Sequence, residues 1–564
     1  MKRARSRSAS SKDCASERTI AKEKLISFLS NRHSYLERPR RLRFVQTHAS
    51  YVCITDRYVY KVKKGVNLGF LDFSTLEKRR HFCEREVLLN RRLSSHVHRG
   101  VLPIFLNEGK LTFANGGPVV EYAIQMRKLD PRYFLPRLLR LKKVGRAQVK
   151  RIVSALKKFY EAQTPTAAIT RWGGLEKLKI STDENFRQTE RFIGSSISRP
   201  AFEAVRCFTR EFYRGYAGLF AQRMREHRIR DCHGDLRLEH IHLGPRHLSI
   251  YDCIEFNDRL RYLDWANDLA FLAMDFDYQG WPELADYFLK QMAIALDDGD
   301  LPTVVDFYKC YRAYVRGKVE TIQSLDAREV TVRKASLGKA RNYFKLALRY
   351  AVAGSTPMVV IVMGRIASGK STLARMLGRE LDWQVFSSDV LRKTLARVPL
   401  HRRVVNARKK QQLYAEQMTE RTYQALLTNA IRQVRKRQSV ILDATYSQRL
   451  HRDQLRDRLR SAGVAFCFVE AKASNKTIRQ RLKERTGKTA QVSDARIEDF
   501  QTLSDSYEPP RELLAREFAT TETFKDRPEA TIANVLRALA HRRARPDGSR
   551  ARSGRYAGAR STAK

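Results

Sequence analysis

Two short stretches set side chains that handle phosphate and metal at fixed spacings. In GRIASGKST, residues 364–372, Gly364 and Gly369 are followed by Lys370 and Ser371. Backbone N–H groups around such glycines wrap a polyphosphate at the positive end of a helix, the lysine reaches the β/γ-phosphates, and the serine meets a magnesium ion. Gly364, Arg365, Ile366, Ala367, Ser368, Gly369, Lys370, Ser371 and Thr372 are therefore candidate ATP contacts; the plain alternative is a glycine turn. In HGDLRLEH, residues 233–240, Asp235 can orient or deprotonate a hydroxyl, and Asp252 in the later IYDCIEFN can hold a metal ion.

These residues need elements to place them. MVVIVM, from 358, is a run suited to a fully buried strand, and STLARMLGREL behind the loop has a helical pattern. WQVF, 383–386, predicts the next strand and runs into SSDVLRK, where Asp389 and Arg392 stand three apart on one helix face. There Asp389 can orient or deprotonate an acceptor hydroxyl while Arg392 holds an anionic group; an N-capping Asp with a surface Arg is the alternative. SVILDATY, 439–446, ends a strand in Asp443, a second magnesium-organising carboxylate or an ordinary strand-end Asp. RQRLKER sets Arg481 and Arg485 four apart, suited to a lid over ATP or to a solvated basic face.

Upstream, RFVQTHASYVCITDRYVYKVK alternates as strands of a small sheet. A helix over 74–93 opens on Ser74 with Glu77 three residues on, and its apolar positions are Phe82, Val87, Leu88, Leu89 and Leu93. Strands are expected at 101–106 and 118–126, helices over 134–228 and 305–351, then the small-residue linker AVAGSTP. The order is that of a kinase: Lys61 would pair ATP phosphates with Glu86, with Lys63 on the same strand face as a substitute. Asp235 is the group for the acceptor hydroxyl, Asp252 the metal carboxylate, and Asp264 with Asp268 a buried polar brace.

The array from about 43 to 350 resembles the aminoglycoside phosphotransferase family in its HGDxxxxN-type loop and its IDxE-type segment. Residues 357–540 resemble P-loop small-molecule and polynucleotide kinases through GRIASGKS, SSDVLRK, LDATYSQRLHR with Arg452, RLKER and SDA at 493–495. Together they resemble bifunctional bacterial proteins that join the two domains, which implies ATP and Mg2+ as cofactors and a hydroxyl as acceptor. The sequence departs from the first family at two points. His240 stands where that family has Asn, and no glycine occurs between 42 and 60, where a glycine-rich loop is expected. Magnesium prefers hard oxygen ligands, so Asp252 with Glu255 is an alternative metal pair.

The fold class that follows is an α+β bilobal kinase-like N-terminal domain followed by an α/β P-loop NTPase domain with a parallel sheet. The expected divisions are a basic tail at 1–20, the kinase-like domain at 21–350, a linker at 351–357, the P-loop domain at 358–540 and a basic tail at 541–564. With 109 Lys and Arg against 60 Asp and Glu, the chain of 564 residues carries +49, a field that attracts nucleic acid and phosphorylated molecules without choosing between them. The tails suit nucleic-acid contact or plain solvation, and aminoglycosides, being cationic, suit this charge poorly. Eight scattered cysteines without a CxxC pair indicate neither a disulfide framework nor a zinc site and point to the cytoplasm. No apolar run reaches the roughly 20 residues of a membrane span, so no membrane partner is expected. Three function classes remain: a tandem kinase acting on a small-molecule hydroxyl or nucleic-acid end, a P-loop kinase governed by an inactive kinase-like partner, and a basic RNA-associated ATP-binding protein.

Overall fold

Alternating β-branched and aromatic residues upstream of 64 produce the expected strands. The computed structural model describes residues 21–69, 71–400, 406–486, 496–524 and 527–545; the tail at 1–20 and the SDA segment lie outside them. The chain divides into two units, Met1–Thr164 with Asp231–Tyr262, and Pro165–Arg230 with Leu263–Lys564. The expected linker, 351–357, lies inside the second unit.

The first unit is built on a six-stranded sheet in the order Arg43–Gln46, Ser50–Ile54, Tyr58–Lys63, Val119–Arg127, His98–Asn107 and Lys110–Thr112, with every neighbouring pair antiparallel. Strand side chains alternate between faces. Tyr60 and Val62 therefore enter an apolar core with Leu29, Tyr35 and Ile104, while Lys61 and Lys63 share the opposite face. The helix Leu76–Ser94 is capped by Thr75, whose hydroxyl accepts from the Lys78 amide at 3.3 Å. Ser74 was expected in that role, but its hydroxyl is taken by Asp72 Oδ1 at 2.6 Å. The helix buries Cys83, Glu86, Val87, Leu89 and Asn90 and leaves Leu88 69% exposed, so its inward stripe is partly polar and lies to one side of the expected one.

The second unit holds a five-stranded parallel sheet in the order Gln384–Ser387, Val440–Asp443, Met358–Met363, Ala465–Lys472 and Phe518–Glu522. All six residues of its central strand are buried, as the apolar run predicts. Helix Lys370–Leu381 follows that strand. The helices Arg199–Gly215, Leu301–Asp326 and Val330–Val352 belong to the same unit, and Pro528–Ala544 packs along the first of them. This last helix runs through 541, where a tail was expected to begin, because its cationic end has partners. Arg542 Nη1 donates to the Phe466 carbonyl at 3.0 Å, and Arg543 Nη2 lies 2.6 Å from Asp306 Oδ2. Residues 546–564 lie outside the described residues.

The expected polar brace is present. Asp264 and Asp268 are 2% and 0% exposed, and the fully buried Arg223 donates to both oxygens of Asp264 (2.6 and 2.8 Å) and both of Asp298 (2.8 and 2.7 Å). Removing one partner of a buried ion pair strands the other charge in low dielectric. Arg223→Ala is accordingly expected to destabilise the second unit by about 3–5 kcal/mol, read as a lower denaturant midpoint. An unchanged midpoint would mean that Asp264 and Asp298 find other partners.

Candidate active sites

In the second unit the site forms where strands end and helices begin. Gly364 follows the central strand at φ 141°, and Gly369 caps the next helix at φ 98°. A Cβ at Gly364 would lie 2.5 Å from the Ala471 carbonyl oxygen, and one at Gly369 would lie 3.0 Å from Thr523 Oγ1. Only glycine meets both the backbone angle and the space at these two points. Between them, Ile366 and Ala367 pack on Ile478, Leu482 and Phe500, and Arg365 Nη1 donates to Asn475 Oδ1 at 2.8 Å. Ser368 Oγ is buried without a hydrogen-bond partner, and Thr372 is exposed on the first turn of the helix. A glycine-shaped turn, an orphaned buried hydroxyl and a helix N-terminus together fit an anion such as phosphate.

Ser371 Oγ donates to Asp443 Oδ1 at 3.1 Å, which joins the loop to the neighbouring strand. The parallel register makes this contact, since Asp443 pairs with Val362 on one side and Ser387 on the other. Asp443 is 4% exposed; burial pushes its carboxyl up, and Lys370 and Ser371 pull it back. The hydroxyl and carboxylate fit a hard divalent cation.

Asp389 is half-buried in the first turn of helix Ser388–Leu395; the N-cap position is Ser387, so Asp389 is not the cap. Arg392 is buried. Its Nη1 donates to the Leu413 carbonyl at 3.1 Å and to Thr419 Oγ1 at 3.0 Å, with the guanidinium over the Tyr414 ring. Arg392 thus ties segment 413–419 to its helix and is not a surface residue, while its buried Nε has no hydrogen-bond partner. Arg481 holds the phosphate loop itself, donating to the Ser368 carbonyl at 2.9 Å and to the Ala367 carbonyl at 3.3 Å. It also donates to Thr523, whose hydroxyl reaches the same Ser368 carbonyl at 2.5 Å. The side chain of Arg485 lies outside the described residues. Arg452 is fully buried and bonded to Glu512, a brace. Thr523 had no signal in the sequence, because only the fold brings it to the loop.

In the first unit, Lys61 Nζ lies 2.9 Å from Glu86 Oε1 and 3.1 Å from Asp252 Oδ1. Lys63 Nζ lies 2.6 Å from Glu86 Oε2 and also contacts Glu255. Lys63 was expected as a stand-in for Lys61; instead both engage the same carboxylate. Burial opposes the charge on both lysines, but Asp252, Glu86 and Glu255 hold Lys61 well above its ordinary value, and Glu255 and Glu86 hold Lys63 at about 12. Against the pull of burial, the two lysines lower the Glu86 carboxyl to about 2, whereas burial leaves Glu255 raised. Lys61 holds the Asp252 carboxyl well below the usual carboxylate range. Asp252 sits at φ 64°, a left-handed backbone that non-glycine residues adopt at a cost.

Glu255 is committed to Lys63, and the carboxylate grouped with Asp252 is Asp235. One ligand atom from each of Asp235, His240 and Asp252 lies within 4.8 Å of the others, the one such grouping of His, Cys, Asp and Glu among the described residues. The absent glycine-rich loop is replaced by a tight turn, in which the Thr47 hydroxyl accepts from the Ser50 amide at 3.0 Å and Lys64 Nζ donates to the Thr47 carbonyl at 2.6 Å.

Residues 359–510 match the family model described as an AAA domain. Uncharacterised proteins from Mycobacterium tuberculosis and Mycobacterium bovis are each 30% identical to this chain over 350 residues, 62% of this chain and 68% of theirs. Among solved structures, similar ones include a gluconokinase from Sinorhizobium meliloti 1021 (20% identity, 33% of this chain and 93% of that one, TM-score 0.24). An ADP-bound aminoglycoside phosphotransferase matches at 12% identity over 55% of this chain and 95% of its own, TM-score 0.34. A choline kinase from Cryptosporidium parvum matches at 10% identity over 58% and 94%, TM-score 0.37. The chain carries a kinase-like region ahead of a P-loop domain, in the order the motifs implied: an antiparallel sheet bearing the Lys61–Glu86 pair precedes a parallel sheet bearing the glycine cradle. No helix among the described residues is long and apolar enough to cross a membrane.

Lys63 is 1% exposed and serves two buried carboxylates, whereas the Lys61 side chain is 20% exposed. Lys63→Met is expected to lower the thermal midpoint of the first unit more than Lys61→Met does. The reverse order would show that Lys61 holds the cluster.

Proposed function

The chain belongs to the same protein family as these mycobacterial proteins, and from that premise we propose that it is an ATP-dependent phosphotransferase whose P-loop domain transfers the γ-phosphoryl group of ATP to a hydroxyl of a small molecule or nucleic-acid end. The observation that carries this reading is the joining of the glycine cradle to a metal-capable pair, Ser371 and Asp443, 3.1 Å apart. Gly364 to Thr372 cradle the phosphates, Lys370 draws charge from the β/γ-phosphates, and Arg481 with Thr523 keeps the loop in shape. Ser371 and Asp443 would hold a cation, Mg2+, which would supply positive charge against the β- and γ-phosphates. The acceptor hydroxyl oxygen attacks the γ-phosphorus while its proton passes to Asp389. The bond from that phosphorus to the β-phosphate oxygen breaks, and ADP leaves with the electron pair. Catalysis of this kind is mostly positioning and charge stabilisation, which a rigid loop supplies.

The kinase-like region is a second nucleotide site in this reading, favoured over an inactive partner by the formed Lys61–Glu86 ion pair at 2.9 Å. Lys61 would contact the phosphates, Asp252 with His240 would hold the metal ion, and Asp235 would face the acceptor. The basic tails are proposed to add nonspecific nucleic-acid contact, and the cytoplasm is the proposed location. An RNA-associated role without transfer would appear as salt-sensitive RNA retention lost with both tails.

The test is transfer from labelled ATP to a panel of metabolites and oligonucleotides by the full chain. Lys370→Ala is expected to lower P-loop-dependent transfer by about 100-fold or more, and unchanged transfer would remove the P-loop assignment. Asp389→Asn is expected to lower transfer by about 100-fold or more while ATP affinity, measured by calorimetry, changes little. Equal losses in both would make Asp389 a nucleotide or structural residue.

A further inference from the structure

His240 takes the place of a hard amide ligand, and its surroundings determine which of its nitrogens can bind a metal. The side chain is 9% exposed, and the ring centroids of His233 and Tyr251 lie 6.3 and 5.8 Å from its own. Its backbone carbonyl accepts from the Tyr251 amide at 3.1 Å. Nδ1 lies 2.9 Å from the Asp235 backbone carbonyl oxygen. A carbonyl oxygen only accepts, so Nδ1 carries a hydrogen, and in the neutral form of the ring the lone pair stands on Nε2. That Nε2 stands 3.6 Å from Asp252 Oδ2 and 3.6 Å from Glu239 Oε1.

These distances are long for hydrogen bonds and close to the spacing of two ligands around one ion. Metal–ligand bonds of about 2.1 Å at right to tetrahedral angles put donors roughly 3.0–3.4 Å apart. A backbone carbonyl fixing Nδ1–H while Nε2 faces a carboxylate is the outer-shell arrangement that orients a metal-binding histidine. Asp252 Oδ1 is engaged by Lys61, which leaves Oδ2 on the His240 side. Three cations, Lys61, Lys63 and Arg237, face five carboxylates, Glu86, Glu255, Asp252, Asp235 and Glu239, with Arg237 Nη1 2.5 Å from Glu239 Oε1 and 4.0 Å from Asp235 Oδ2. A cation is the charge this pocket lacks.

We propose that the kinase-like region is built for a first-row divalent transition ion, Mn2+ being the member nearest to magnesium, bound through His240 Nε2 and the Asp252 carboxylate. Imidazole nitrogen binds such ions well and adds little for Mg2+, which dehydrates reluctantly and prefers oxygen. The inference deepens the nucleotide-site reading of this region and rests on it. It separates the two metal sites of the chain, since Ser371 and Asp443 offer oxygen alone.

The experiment titrates the metal-free full chain carrying Ser371→Ala, which silences the P-loop cation site, with Mn2+ alone. Free Mn2+ is followed by its electron paramagnetic resonance signal and bound Mn2+ by nitrogen modulation of the electron spin echo. Nitrogen modulation is expected in the parent and absent in His240→Asn. The preference for Mn2+ over competing Mg2+ is expected to fall about tenfold or more in His240→Asn, and Asp252→Ala is expected to abolish binding. Bound Mn2+ without nitrogen modulation, or an unchanged Mn2+ to Mg2+ ratio in His240→Asn, overturns the role of His240 and leaves the nucleotide reading standing. Binding that survives Asp252→Ala removes the metal site from that reading altogether. Circular dichroism of each variant separates a lost ligand from a lost fold: a His240→Asn chain that is folded and keeps its nitrogen modulation refutes the proposal.

Discussion

Lys63 is 1% exposed and bound to two carboxylates that are themselves buried, and the geometry of the first unit depends on that contact. A charge taken out of water survives only against charge of the opposite sign. Here the opposing charges come from three separate stretches of chain: the strand Tyr58–Lys63, the helix Leu76–Ser94 through Glu86, and the 250–257 segment through Glu255. The contact therefore acts as a joint. With strand, helix and segment tied at Lys63, Lys61 is left two residues along, partly exposed, between Glu86 and Asp252.

The two candidate sites are electrostatic opposites. In the P-loop region the helix N-terminus, Lys370 and the orphaned Ser368 hydroxyl make a place for anions, with the buried carboxylate of Asp443 to admit a cation beside them. In the kinase-like region carboxylates outnumber lysines and a histidine is added, which makes a place for a cation first. A metal–nucleotide complex carries both signs, so each candidate site would meet it from a different side. The net charge of +49 neither creates nor forbids these local fields, because buried pairs are screened far less than the surface charge.

Arginine serves as structural cement in this chain. Arg223, Arg392, Arg452 and Arg481 all bind carbonyls or carboxylates of their own unit. The guanidinium fork reaches two acceptors at once, and it remains charged where a lysine would lose its proton. For Arg392 and Arg481 this means that spacing on a helix face identifies a functional neighbourhood without identifying the job. Arg481 shapes the loop that would meet ATP, and Arg392 anchors the segment beyond Asp389.

By itself the sequence determined the features whose chemistry is local: the apolar strand at 358–363, the glycines at 364 and 369, the helix after them, and the strand-ending Asp443. Neighbouring residues dictate such features, since positive φ and close backbone approach demand glycine and a run buried on both faces demands β-branched side chains. The kinase order of Lys61, Glu86, Asp235 and Asp252 was legible for the same reason, each residue sitting in its own short segment. Tertiary structure decided what distance along the chain conceals. The strands Ala465–Lys472 and Phe518–Glu522 and the helix Pro528–Ala544 join the second unit through parallel pairing and packing that no local pattern specifies. The joint role of Lys63, the capture of Glu255 and the closure of the phosphate loop by Thr523 depend on partners brought from elsewhere in the chain. The same holds for His240, whose residue type the sequence states but whose lone-pair nitrogen, in the neutral ring, is defined by a carbonyl oxygen 2.9 Å from the other one. A hydrogen bond depends on position and direction, and only the folded chain supplies both.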